Sequence, residues 1–541
     1  MRPWLSHHLL EDSASRFPDK PCLEEPGRTL SYAAAVTASR RTAAALIQAG
    51  LEPGAPAGIY MDKTIDQVLA MFGVWMAGGV VVLLNPILAE DQVLHIVKDC
   101  GIRTLAATAD KLTPDGRGRD RIAPARWAEA GITGAVTFGG GTKNPGSPDS
   151  DSGSAFKRIC RPETAPAAAA EPRRIADDIS HIIYTSGSTG LPKGIVVTHR
   201  NSIDGAKIVS AYTGLSGDDR ILGLLPLNFD YGFNQLMDAV LLGGTFVLHQ
   251  FFMPNDLLRT LESKRITVFA GMPPVWLKIF NPRLCDTSKP HDFSGLRVIT
   301  NSGGKVPVAV VGKLRGLFPS TRIFLMYGLT EAFRSTFLDP EEIGRRPESI
   351  GKAIPGVEIF VVDGEGRECG PDEEGELVHR GALITRGYWN NPEKTAEVFR
   401  PNPLLDPSNR HLETVVFSGD IVKRDAEGFL YYVGRRDAMI KTKGYRVSPT
   451  EVEERVTAIP GVAECVAAAY EEEDEIRLRV FMTLSSPAVT AETVIGDCKR
   501  NFPFYLVPDD VVVLSAFPLT ANGKIDRTRT VREHSDAKRK S

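Results

Sequence analysis

Cysteine is scarce and never closely spaced in this 541-residue chain. The seven cysteines, at 22, 100, 160, 285, 369, 465 and 498, form no C-x-x-C pair, which excludes a zinc ribbon or a disulfide framework and predicts free thiols in a reducing compartment. Neither sign of charge is in excess: 64 basic residues against 67 acidic ones leave a formal net charge of −3, which argues against a nucleic-acid-binding surface. Long apolar runs are also missing. The strongest, over 72–84, is cut by Gly73, Gly78 and Gly79 and falls short of a membrane span. The N-terminal segment meets Glu11 and Asp12 before any apolar stretch of signal-peptide length. The expectation is a cytoplasmic protein with no membrane anchor. His7 and His8 adjoin one another with no further ligand at metal spacing, so they read as surface histidines.

Two familiar motifs are absent by one or two residues. A Walker A loop, G-x-x-x-x-G-K-[ST], fails because Pro192 stands at the second glycine and Gly194 replaces the hydroxyl residue. A nucleophile elbow, G-x-S-x-G, fails around Ser188 because Ser186 stands at its first position. What is present between Tyr184 and Gly194 is YTSGSTGLPKG. Ile182, Ile183 and Tyr184 lead in as a buried strand would. Gly187, Gly190 and Gly194 let backbone N–H groups approach an anion, Thr185, Ser186, Ser188 and Thr189 add hydroxyl donors, and Lys193 adds a positive charge. Together they make a phosphate cradle.

The chain is too long for one hydrophobic core, so two or more domains are expected. Residues 31–49 are alanine-rich with a serine start and a glycine stop and predict a helix. IYMDKT, DQVLAMFGVWMAG and VVVLLNP then alternate strand, helix and strand. The same rhythm returns after the cradle in RILGLLPL, NQLMDAVLLGG, TFVLH, NDLLRTLESKR and TVFAG. This is βαβ order, which favours parallel sheets covered by helices. Residues 139–172, rich in Gly, Ser, Pro and Ala, read as a mobile surface insertion. After about Arg435 short segments suggest a compact α+β domain: YRVSPTEVEERVTAI as a helix, AECVAAAY and RLRVFMTL as strands, then a helix and VPDDVVVL. Residues 531–541 read as a basic, solvated tail.

Four further segments follow the cradle in order: YGLTEA at 327–332, SGD at 418–420, GRRDAMIKTKGYRVSPTEVE at 434–453 and PLTANGKIDR at 518–527. With them the chain resembles, from about residue 9 to about 530, the adenylate-forming superfamily of acyl-CoA synthetases, peptide-synthetase adenylation domains and luciferases. The resemblance implies an acyl-CoA synthetase-like α/β fold. Its large N-terminal AMP-binding domain, with βαβ layered sheets, would span 1–436, and a small mobile α+β C-terminal domain 437–530. It implies attack of a carboxylate on the α-phosphate of ATP, with Mg²⁺, and then transfer of the acyl group to a pantetheine thiol of CoA or of a carrier protein.

The roles it implies fall on particular residues. Thr185 to Gly190 and Lys193 would hold the β- and γ-phosphates, where donors fixed before reaction stabilise developing charge. Glu331 matches the magnesium-binding glutamate, and Thr330 would donate to the α-phosphate. Asp420 and Arg435 would hold the ribose, and Ser302, Gly303, Gly304, Tyr327 and Gly328 would line the nucleotide. Lys524 would be the catalytic lysine bridging carboxylate and α-phosphate. Asp437 matches the hinge, and Lys441, Lys443 and Gly444 would approach the pantetheine channel.

The acid itself is read at LPLNFDYGFNQL, 225–236. In amino-acid-activating branches an aspartate after phenylalanine pairs with the substrate ammonium, and Phe229 and Asp230 stand there. A carboxylate in an apolar pocket is costly without a cation, so an amino acid is the expected substrate. The alternative for Asp230 is that it caps the helix beginning at Tyr231. The serine and glutamate that often follow in peptide synthetases are absent, and the phrase also looks like standalone bacterial acyl-CoA ligases, so an amine-free fatty or aryl acid stays open. An inactive scaffold of the same fold would be expected to have lost some of Lys193, Glu331, Asp420, Arg435 and Lys524, and a luciferase-like oxygenase is a remote alternative.

Overall fold

A computed structural model describes the chain apart from residues 1–3, 113–121, 140–155, 157, 167–171, 187–191, 437, 439, 443–444, 473–474, 487, 521–522 and 535–541. Two compact units emerge, the first made of 1–345, 353–358 and 381–399, the second of 346–352, 359–380 and 400–541. The second therefore takes in segments ahead of residue 437, where the sequence placed the boundary.

The first unit is built on two sheets. In one, Arg158–Cys160, Gly134–Phe138, Thr104–Thr108, Pro56–Tyr60, Val80–Leu83 and Ile179–Ser186 run side by side in that order, parallel in the pairs whose register is defined, and Pro192–Thr198 closes the edge antiparallel. In the other, Thr245–Leu248, Arg220–Gly223, Val268–Gly271, Val298–Asn301 and Arg322–Tyr327 are all parallel. The expected βαβ order is present, because each strand is a short apolar run and each crossover is a helix with its own start signal. Ser31 caps Tyr32–Gln48 by accepting from Ala34 N at 3.3 Å, and Thr64 caps Ile65–Met76 by accepting from Gln67 N at 3.4 Å. Nearly all of Ile65–Met76 is buried. Trp75 on that helix donates its indole N–H to Ser180 O at 2.9 Å and packs edge-on against Phe233, tying the crossover to the strand that enters the cradle.

Three expectations of secondary structure need correction. Arg158–Cys160, inside the 139–172 segment, adds a parallel strand to Gly134–Phe138, and Phe156 is buried, so this part is sheet and not a mobile insertion. Tyr445–Val447 is a strand and the helix runs only over Pro449–Thr457, because Ser448 caps it and Pro449 opens it. Residues 531–534 of the expected tail complete helix Arg527–His534, in which Thr530 is fully buried, and residues 535–541 lie outside the described residues.

In the second unit, Glu374–Gly381, Thr414–Arg424 and Leu430–Arg435 form an antiparallel sheet. Val462–Glu472, Glu475–Leu484 and Asp510–Val513 form a mixed sheet, the first pair antiparallel and the second parallel, whose core with helices Pro449–Thr457 and Ala491–Asn501 includes Val452, Val456, Leu478, Val480 and Val494. All seven cysteines are free thiols, as expected. No helix among the described residues is long and apolar enough to cross a membrane.

His7 and His8 are buried, not surface residues, and with His181 and His199 they form a cluster of imidazoles in the first unit. Burial holds His7 and His181 down at about 3 and His199 well below its ordinary value. These groups stay neutral in the folded chain but take protons in the unfolded chain below about pH 6.5, so folded stability must fall as pH drops from about 6.5 toward 3. With three such histidines fully titrating, the slope approaches about 4 kcal/mol per pH unit. Urea unfolding at pH 7.5 and pH 5.0 checks this, with a lower midpoint expected at pH 5.0 and a smaller difference in His181→Asn.

Candidate active site

The loops that carry the sequence motifs leave the C-terminal ends of neighbouring parallel strands, the edge at which open α/β sheets place ligands. Val298–Asn301 leads into Ser302, Gly303 and Gly304, and Arg322–Tyr327 leads into Gly328, Thr330 and Glu331. Asn301 accepts from the Trp276 indole at 2.7 Å and donates to Gly304 O at 3.3 Å, so the first loop is braced by its own strand. Gly303 sits at φ +80°, which favours glycine.

On the other sheet, Ile179–Ser186 and Pro192–Thr198 pair with Thr185 opposite Lys193 and Ser186 opposite Pro192. They frame the cradle as a hairpin. Gly187, Ser188, Thr189 and Gly190 lie outside the described residues. Gly194 is required by close approach and not by a turn: a Cβ there would come within 2.8 Å of Ile182 Cγ2 and 2.9 Å of the Tyr184 ring.

Residues 385–389, which the sequence reading did not single out, join these parts. Val196 N donates to Gly387 O at 2.9 Å, Arg386 N to Val196 O at 2.9 Å and Trp389 N to Gly194 O at 2.7 Å, so the segment pairs with the strand that carries Lys193. The same segment holds Glu331, the glutamate expected to bind magnesium. Thr385 donates from its backbone N at 3.0 Å and its hydroxyl at 2.9 Å to Glu331 O, and the Tyr388 hydroxyl donates to the Glu331 carboxylate. Thr385 and Tyr388 orient Glu331, and a half-buried, oriented carboxylate is the hard oxygen donor that suits Mg²⁺.

Asp230 is 3% exposed and is the first residue of helix Asp230–Leu242. It does not cap that helix: the N-cap is Phe229, and no side chain serves the cap. Its carboxylate instead receives Arg334 Nη1 at 3.3 Å, from a guanidinium that is itself 2% exposed. The cation that the sequence reading required of the substrate is thus supplied by the chain.

In the second unit, Asp420 and Arg435 stand opposite each other in register, with Arg435 Nη1 donating to Asp420 Oδ1 at 3.1 Å and to Ser418 O at 3.0 Å. Lys524 sits in a tight turn: Thr520 N donates to Lys524 O at 2.7 Å, and Lys524 N donates to Thr520 Oγ1 at 3.2 Å. Lys441 lies in the short strand Ile440–Thr442, while Asp437, Lys443 and Gly444 lie outside the described residues. Elsewhere, among the described residues, the ligand atoms of His7, His8 and Glu11 lie within 4.8 Å of one another, nearer to metal spacing than the sequence suggested. Arg40 pairs with Glu11 at 2.9 Å, and its charge opposes a cation there.

With this geometry in place, the comparisons assign the family. The AMP-binding enzyme model matches residues 10–389 and the AMP-binding enzyme C-terminal domain model matches 451–524, so the chain belongs to the AMP-binding enzymes. It is 28% identical over 528 residues to tyrocidine synthase 3 of Brevibacillus parabrevis, covering 96% of this chain and 8% of that protein. It therefore spans less than a tenth of that relative. It is 27% identical over 548 residues to a long-chain-fatty-acid–CoA ligase of Bacillus subtilis, covering 98% of this chain and 94% of that one. Among solved structures it is similar to o-succinylbenzoate CoA synthetase from Bacillus subtilis in complex with the acyl-adenylate intermediate OSB-AMP, at 25% identity and a TM-score of 0.78, over 96% of this chain and 97% of that one. The acyl-CoA synthetase-like fold is the one expected from the motifs.

The turn at Lys524 is anchored by Arg527, which pairs through both terminal nitrogens with Glu453. Burial pushes the Glu453 carboxyl above its usual range even with that arginine beside it. Arg527→Ala strands a buried carboxylate and is expected to cost about 1–3 kcal/mol, at the low end because the Arg527 side chain is half exposed. Arg527→Ala combined with Glu453→Gln should recover part of the loss, as read by urea midpoints of the three variants. Equal midpoints for wild type and Arg527→Ala would show that the pair does not anchor the turn.

Proposed function

We propose that the protein is an ATP-dependent, AMP-forming carboxylate ligase that makes an acyl adenylate and pyrophosphate, then passes the acyl group to a pantetheine thiol of CoA or a carrier protein. The observation that carries this reading is the joint framing, by residues 385–389, of the Lys193 strand and the Glu331 carboxylate in an AMP-binding enzyme. Lys193 and the hydroxyls of the cradle are the donors for the departing pyrophosphate. Thr330 is the donor for the α-phosphate. Glu331, steadied by Tyr388, is the ligand for Mg²⁺, which would supply charge neutralisation at the phosphate oxygens. Asp420 is the acceptor for the ribose hydroxyls, with Arg435 fixing its carboxylate. Lys524, presented by its turn, is the cation that offsets charge shared between carboxylate and α-phosphate.

Two readings of the acid each have support. The likeness to a tyrocidine synthase supports an amino acid, whose ammonium would share the Asp230 carboxylate with Arg334. The Arg334 contact and the full-length likeness to a fatty-acid–CoA ligase support an amine-free acid, because Asp230 is already charge-balanced. A cytoplasmic location fits the free thiols.

Pyrophosphate release over a panel of amino acids, β-amino acids and fatty acids tests the reading. Wild type should release pyrophosphate and AMP, never ADP. Lys524→Ala should lose adenylation by a factor of about 100 or more while still passing a pre-made adenylate to the thiol. Tyr388→Phe should need more Mg²⁺ and lose about ten- to a hundredfold in kcat/KM, the worth of one hydrogen bond to a charged group. Full adenylation by Lys524→Ala would remove that lysine from the chemistry.

A further inference from the structure

Helix Glu90–Cys100 carries an acid at its unfavourable pole. Asp99 stands in the last turn, two residues before Gly101, which ends the helix at φ +64°. The carbonyl end of a helix bears partial negative charge and disfavours a carboxylate there. What Asp99 receives explains its position. The Tyr184 hydroxyl donates to its carboxylate, the Trp389 indole N–H donates to its backbone carbonyl at 3.0 Å, and Asn390 Nδ2 donates to the same carbonyl at 2.8 Å. That carbonyl is among the last four of the helix, which have no partner within it, so residues 389 and 390 cap the helix from outside. Asn390 does so at φ +50°, a conformation that asparagine tolerates better than most residues.

Trp389 turns these contacts into a closed circuit. Its backbone N donates to Gly194 O at 2.7 Å, and Gly194 stands opposite Tyr184 in the hairpin, so close that a Cβ there would come within 2.9 Å of the Tyr184 ring. Tyr184, Asp99, Trp389 and Gly194 thus hold one another around the base of the cradle. Thr185 follows Tyr184, Lys193 precedes Gly194, and these two are paired across the hairpin. The direction of each bond is fixed as well. Burial pushes the Tyr184 phenol well above its ordinary range and the Cys100 thiol up to about 12, so both keep their protons at neutral pH. Tyr184 has one proton to offer and its hydrogen bond goes to Asp99, which leaves the phenol oxygen as acceptor for Cys100 Sγ at 3.2 Å.

We propose that Asp99 is a positioning residue for the phosphate cradle: by holding Tyr184 and Trp389 together it fixes the backbone that presents Thr185 and Lys193 to the pyrophosphate end of ATP. Asp99 acts through Tyr184 and Trp389 and not on a phosphate itself. Donors that must rearrange as charge develops stabilise it less than donors already in place, so the circuit bears on the nucleotide and on pyrophosphate and leaves the acid and the thiol untouched. This inference rests on the ligase reading, in which the cradle holds the leaving group.

Calorimetric titration of the full chain with ATP and with pyrophosphate, each with Mg²⁺, tests the circuit. Tyr184→Phe removes the donor while keeping the ring, and should weaken both ligands about tenfold, the worth of one hydrogen bond to a charged group. Asp99→Leu should match it, and the double variant should bind no more weakly than either single one, because one contact is removed in all three. Asp99→Asn keeps an acceptor for the phenol and should stay within about threefold of wild type. With the acid that wild type uses best in the pyrophosphate-release panel, KM for ATP should rise in Tyr184→Phe while KM for the acid holds. A merely structural contact would lower urea midpoints and move both KM values together. Unchanged affinity in Tyr184→Phe, equal losses in Asp99→Asn and Asp99→Leu, or a KM for the acid that rises with that for ATP overturns the inference. If Asp99→Leu does not fold, Tyr184→Phe and Asp99→Asn carry the test. Wild type that binds ATP through this circuit yet releases no pyrophosphate with any acid would sink the ligase reading and leave the cradle, whereas wild type that binds neither ATP nor pyrophosphate overturns both.

Discussion

The site of the first unit depends on one stretch of backbone pairing, that between residues 386–389 and the strand Pro192–Thr198. Phosphate recognition needs donors that do not move when charge develops, because any reorganisation at that moment adds to the barrier. A hairpin tip cannot supply such rigidity alone. Here the outer strand of the hairpin is bonded on one side to Ile179–Ser186 and on the other to residues 386–389, so Lys193 projects from a strand held on both edges. The same short segment reaches Glu331 through Thr385 and Tyr388. The strand that carries Lys193 and the carboxylate of Glu331 are thereby held by one element.

Two carboxylate–arginine pairs serve different ends. Asp420 and Arg435 are register partners in a sheet, with the arginine half exposed, so the pair orients a carboxylate at modest electrostatic benefit. Asp230 and Arg334 are both buried. A buried pair is weak evidence of stability, since desolvation of two ions offsets most of their attraction, and removing one partner costs about 3–5 kcal/mol.

Much of the fold was legible because its signals are local. Helix Tyr32–Gln48 begins at its serine and ends before its glycine, and the βαβ strands are short apolar runs. The strand that leads into the cradle was legible for the same reason, whereas Pro192–Thr198 beyond it was not read as a strand. What was missed depends on partners far apart in the chain. Asp230 looked in need of a cation because Arg334 is 104 residues away, and nothing in LPLNFDYG announces it. Tyr388 is 57 residues from Glu331 and lies in a phrase with no catalytic signature. Helix Arg527–His534, which takes in the first four residues of the expected tail, was hidden by a polar composition, whereas Thr530 is buried by tertiary packing that periodicity does not reveal. The run YRVSPTEVEE was extended too far as helix because the stop imposed by Ser448 and Pro449 was given too little weight.

Transfer of oxygen-18 from a labelled carboxylic acid to AMP tests the account most directly. If the acid's oxygen attacks the α-phosphate and the thiol later takes the acyl carbon, the bond that breaks in the second step leaves one carboxylate oxygen on phosphorus. Mass spectrometry should then find one labelled oxygen in each AMP formed with the thiol acceptor, with none in pyrophosphate. Unlabelled AMP, or ADP and labelled phosphate as products, would contradict adenylation as the function of this site.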